Sequence, residues 1–111
     1  MKKTDKKIDK AIIAALTDVC DIALAEVAGF QWLTHRVDYK RFPGSLLVVC
    51  VFASKAELST AIELGKDHYL RQLIKEKLQP VIPVKNAAYQ LKFDTEEACE
   101  LEHGGQWSQR L

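Results

Sequence analysis

Residues Leu46-Leu47-Val48-Val49-Cys50-Val51-Phe52 are apolar without interruption. A run of this length, mostly β-branched or aromatic and preceded by a Pro43-Gly44 turn, reads as a β-strand. Alternate side chains leave opposite faces of a strand. Leu46, Val48, Cys50 and Phe52 therefore point one way, and Leu47, Val49 and Val51 the other. Both faces are apolar, so this strand belongs in the middle of a sheet and needs cover above and below. That requirement constrains every other segment.

The segment from Thr4 to Ala28 reads as a long helix. Thr4 is placed to cap it and Gly29 to stop it, and Ile8, Ile12, Ala15, Leu16, Val19, Ala23 and Val27 fall on one face. Phe30 to Tyr39 alternates as a first strand, with Leu33, His35, Val37 and Tyr39 on one face and Trp32, Thr34, Arg36 and Asp38 on the other. Residues 40–45 form the turn into the apolar strand, making an antiparallel hairpin. Ser54 and Glu57 have capping-box spacing and start a helix that Gly65 interrupts and Pro80 ends. A straight or merely kinked helix would set the third strand parallel to the second; a sharp reversal at Gly65 would make it antiparallel. Pro80 to Pro83 reads as extended. The third strand is expected over Ala87 to Phe93, with Tyr89, Leu91 and Phe93 inward. Asp94 or Thr95 then caps a short acidic helix from Glu96 to about His103, stopped by Gly104-Gly105, and the tail carries Trp107.

The expected fold is α+β: a single domain over residues 1–111, two layers, in the order α-β-β-α(-α)-β-α, with a three-stranded, mainly antiparallel sheet. The larger helices cover one sheet face. The second face is left either to the acidic helix with Ala98, Leu101 and Trp107, or to a second copy of the chain.

Composition narrows the class of function. The net charge of +1 points to neither a strongly basic nor a strongly acidic protein. The charge is unevenly placed, however: Lys2, Lys3, Lys6, Lys7 and Lys10 crowd the first ten residues, whereas Asp94 to Glu102 is acidic throughout. Three cysteines, Cys20, Cys50 and Cys99, lack metal-type spacing and read as free thiols in a reducing compartment. No signal peptide and no apolar run of about 20 residues is visible. These features suggest a cytoplasmic protein with no membrane contact.

No catalytic constellation is legible. Cys99 and His103 share a helix face, but a metal site needs three or four ligands, and neither CxxC nor HxxxH spacing supplies them. Glu96, Glu97, Glu100 and Glu102 lack a positioned partner for acid–base work. The serines lie outside any nucleophile elbow, and there is no P-loop. The chain is therefore expected to be non-enzymatic and to need no cofactor. One basic constellation stands out. Lys3, Lys6, Lys7 and Lys10 on the first helix and Arg36, Lys40 and Arg41 around the hairpin, with Tyr39 and Phe42 beside them, are residue types that hold phosphates and stack bases.

Two resemblances add to this reading. The α-β-β-α-α-β order with a break at Gly65 resembles the K-homology arrangement, whose modules carry a GXXG loop between two helices. The corresponding Leu64-Gly65-Lys66-Asp67-His68 has one glycine and an acid, so no binding residue is transferred. Separately, the stretches 16–35 and 93–107 (Leu16-Thr17-Asp18-Val19-Cys20, Gly29-Phe30-Gln31-Trp32-Leu33-Thr34-His35, Phe93-Asp94-Thr95-Glu96-Glu97) and the Arg41-Phe42-Pro43 turn resemble a family of small gammaproteobacterial proteins. Its members are sometimes labelled Fis-like transcriptional regulators. That label implies DNA binding through a C-terminal helix-turn-helix, whereas the C-terminal residues here read as a strand followed by an acidic segment. Two functions follow as expectations: a bacterial protein acting through protein contacts, its own homodimer included, or a nucleic-acid-binding, transcription-regulatory protein using the basic helix and hairpin.

Overall fold

The computed structural model describes residues 3–42, 44–82 and 89–111. Helix α1 (Lys3–Glu26) already includes Thr4, which is helical rather than capping. Its buried stripe is Ile12, Ala15, Leu16, Val19 and Ala23; of the other positions on the predicted face, Ile8 is only partly buried and Val27 is buried just past the helix end. Asp5 offsets the lysines in the first turn. Gly29, at φ +86°, turns the chain into strand β1 (Phe30–Arg36). This strand is shorter than its alternation suggests. Asp38 accepts a hydrogen bond from the Lys40 backbone N–H and caps a 3-10 turn over Tyr39–Arg41, so local side-chain chemistry ends the ladder.

Strand β2 (Leu47–Phe52) is the middle strand of a sheet ordered β1-β2-β3. It pairs antiparallel with β1 and parallel with β3 (Gln90–Thr95). The sheet is therefore mixed, with one ladder of each kind, rather than mainly antiparallel. The cause lies in the connection. Helix α2 (Lys55–Glu63) is capped by the Ser54 hydroxyl, which accepts from the Glu57 N–H at 3.1 Å. Gly65, at φ +75°, breaks the path and opens helix α3 (Lys66–Leu78). The break redirects the helical path without reversing it, and the chain re-enters the sheet from the end at which β2 started, which makes the strands parallel.

Leu46, Val48, Cys50 and Phe52 join α1 and α3 in the main core, where all four are fully buried. Each buried side chain of this size contributes about 1.5–3 kcal/mol. Tyr89, Leu91 and Phe93 pack on the same cluster, as the alternation of the third strand requires, while Gln90 and Lys92 are exposed. The expected start of this strand at Ala87 and Ala88 lies outside the described residues.

Val49 and Val51 face the other way and are also fully buried. With Ala98 and Cys99 they are buried apart from the main cluster, on the side taken by the chain's own C-terminal segment, helix α4 (Glu96–His103) and the short helix α5 (Trp107–Arg110). Thr95 rather than Asp94 caps α4, its hydroxyl accepting from the Ala98 N–H at 3.0 Å. Leu101 stays 73% exposed and takes no part in the cover. Within one chain the second face of β2 is closed.

Candidate functional site

Helix α1 and strand β1 run side by side in opposite directions, joined by the turn at Gly29. Their distal ends therefore meet, and two contacts fix the meeting. The Tyr39 hydroxyl donates to Asp9 Oδ1 at 2.6 Å, and His35 Nε2 lies 3.8 Å from the same oxygen. Burial, and after it the Asp9 hydrogen bond, hold the Tyr39 phenol well above its ordinary pKa.

This junction collects the basic residues. Lys3, Lys6, Lys7 and Lys10 are all exposed, and at about 100° per residue they occupy one flank of α1. Lys40 and Arg41, beside Tyr39, are exposed at the same end. Among the described residues none of these six cations has a carboxylate within ion-pair distance. Arg36, the seventh candidate, sits at this end of β1 but faces the second sheet face, where its guanidinium donates to the Leu111 carbonyl oxygen. The neighbouring aromatics are already committed. Tyr39 and Phe42 pack on each other with ring centroids 5.9 Å apart and on the main core. The end thus offers charge without a free stacking platform. At the opposite end, where α1 finishes and α2 and α4 begin, Glu26, Glu57 and Glu97 are exposed.

Further along α1, an open groove of about 240 Å³ lies over β1, lined by Ile13, Leu16, Thr17, Cys20, Leu33 and His35 among others. Ile13 is 48% exposed and Leu24, farther along α1, 54%. Strand β1 is the first of the three, so one of its edges is unpaired among the described residues.

The remaining charged cluster is structural. Arg110 donates through Nε to Asp94 Oδ2 at 2.6 Å and through Nη2 to Oδ1 at 2.8 Å, and it also pairs with Glu102. Burial works to raise the Asp94 pKa, but Arg110 and the Thr95 N–H outweigh it and hold the carboxyl below its ordinary value. Cys99 is fully buried and His103 Nδ1 lies 3.4 Å from Arg110, so these two do not form an open ligand pair. No group of three or more metal-ligating side chains occurs among the described residues, and among them no helix is long and apolar enough to cross a membrane. Sequence reasoning missed Asp9 and Arg110. Each acts on partners far along the chain, and no local spacing signals that.

Compared with protein-family models, with curated proteins and with solved structures, the chain finds no match.

Proposed function

We propose that this is a non-enzymatic nucleic-acid-binding protein that grips the phosphate backbone with the end bearing Lys3, Lys6, Lys7, Lys10, Lys40 and Arg41. The observation that supports this is the convergence of two sequence-distant basic segments on one end, with every cation exposed. Phosphate contacts of this kind supply affinity and little sequence preference. Tyr39 and Phe42, packed on the core, are not free to stack bases, which argues for backbone contact over base readout.

The test is a salt titration of binding to fluorescent single-stranded and duplex oligonucleotides. Neutralising about four phosphates gives a log–log slope near −3 for single strands or −3.6 for duplex. No binding at low salt, or a nearly flat slope, rejects the proposal.

The open groove over the unpaired edge of β1 favours a second reading, in which the protein acts through protein contacts at that surface. The two readings overlap on the lysines of α1 and are separated by mutation at Lys40 and Arg41, which do not line the groove.

A further inference from the structure

We propose that a second copy of this chain docks along the open edge of β1, related by a two-fold axis that lays the two α1 helices antiparallel. The inference rests on the protein-contact reading and names its partner.

Lys6, Lys10, Ile13, Thr17, Cys20 and Leu24 recur along α1 at alternating three- and four-residue steps. Such spacing keeps them on one stripe, the kind that forms a seam between two helices. Its apolar part overlooks β1: Ile13, Thr17 and Cys20 line the groove, and Leu24 extends it. The stripe is basic at its start. Beyond Lys10 no base occurs in α1, and Asp21 stands exposed beside the stripe. Asp18 is also acidic but is engaged by Lys77 of α3 at 3.9 Å.

A two-fold interface brings the same patch together twice, so the patch must complement itself when reversed. This one does. With the axis near Thr17, the two Thr17 side chains meet, and Ile13 lies opposite the partner's Cys20. Lys10 lies across the partner's Leu24, so its stem covers the leucine while its ammonium reaches the partner's Asp21. Lys6 and Lys7 then approach the partner helix's C-terminal carbonyls, the negative end of its dipole. A parallel arrangement would set lysine against lysine.

The same axis serves the strands. Because α1 and β1 are antiparallel neighbours, reversing one reverses the other, and β1 meets its copy antiparallel. The ladder irregularity between Phe30 and Trp32 confines regular pairing to Trp32–Arg36. The pairing would satisfy backbone groups that an edge strand otherwise leaves to solvent. Lys40 and Arg41 stay outside this contact.

The experiment is sedimentation equilibrium across about 1–300 µM, a range that covers weak dimers, with circular dichroism as a folding control. The wild type is expected to form dimers. Thr17→Arg, an exposed helix position set against itself by the axis, should weaken association by about tenfold or more, equivalent to about 1.4 kcal/mol. Lys10→Glu and Asp21→Lys should each weaken it, and the double variant K10E/D21K should restore it, because each swapped charge meets its complement on the other copy. A monomer throughout the range overturns the proposal, as does a dimer indifferent to T17R or not rescued by the charge swap. Oligonucleotide binding by Lys40→Gln and Arg41→Gln variants is measured separately, so failure of the dimer and failure of the nucleic-acid reading are distinguishable.

Discussion

Trp32 on β1 and Trp107 on α5 meet edge to face, ring centroids 4.8 Å apart, and their indole N–H groups donate to the two carboxylate oxygens of Glu96. One carboxylate thereby ties the C-terminal segment to the sheet. Trp107→Ala is expected to cost about 2–3 kcal/mol in chemical denaturation, from lost packing and an aromatic pair. Trp107→Phe should recover most of the packing but not the hydrogen bond. A fall in near-ultraviolet circular dichroism should accompany the alanine variant.

The Asp94–Arg110 pair makes stability acid-sensitive. A carboxyl whose folded pKa lies below its unfolded value contributes stability that is complete above the unfolded value, about 3.9. That contribution is lost as pH falls through the lower, folded pKa. Melting temperature should therefore drop below about pH 4, and Asp94→Asn should flatten that part of the profile. Arg110→Met leaves a buried carboxylate unpaired and should cost about 3 kcal/mol.

The cysteines should differ in reactivity. Burial pushes the Cys50 thiol up to about 12, so its protonated form adds stability that is intact below the unfolded pKa, about 8.5, and lost only as pH rises toward 12. Cys99 is fully buried, and Cys20 is partly exposed in the groove. Alkylation of the native protein near pH 8, at a concentration too low for association, should give one adduct, at Cys20, by mass spectrometry. Rapid modification at Cys50 would contradict the closed core.

Two glycines with similar positive φ should respond differently to alanine. At Gly29, φ +86°, an added Cβ would lie 2.7 Å from Glu57 Cβ. At Gly65, φ +75°, it would meet nothing within 4 Å. Left-handed strain costs about 1–2 kcal/mol at either site. Only Gly29→Ala adds a steric penalty, so its denaturation midpoint should fall further than that of Gly65→Ala.

Replacing Lys3, Lys6 and Lys7 together with glutamine should lower oligonucleotide affinity at low salt and reduce the salt slope by up to about 0.7–0.9 per lost phosphate contact. These positions are exposed, so the melting temperature should barely move.

Much of this fold is written in local patterns. The apolar run at residues 46–52 identifies the central strand and both of its buried faces, Ser54 and Thr95 announce their helices, and Gly65 marks a break. Long-range geometry is written nowhere locally. Asp9 serves Tyr39 and His35, and Arg110 serves Asp94, through contacts that exist only once the chain is folded. The parallel β2–β3 ladder depends on how far the turn at Gly65 swings the helical path, which a glycine permits but does not fix. The basic candidates were legible as residues, while their convergence, and the turning away of Arg36, required the packing of α1 on β1.

Helix α1 measures about 36 Å at 1.5 Å per residue, several times the roughly 8 Å over which physiological salt lets charges sense one another. Its lysine-bearing tip and the glutamate-bearing tip across the molecule therefore act as independent poles. Near a polyanion the field would turn the protein before contact, landing it lysine-first with the glutamates outermost. A lone subunit so oriented would coat one strand and repel the next, whereas bridging two strands would require two lysine tips on one particle.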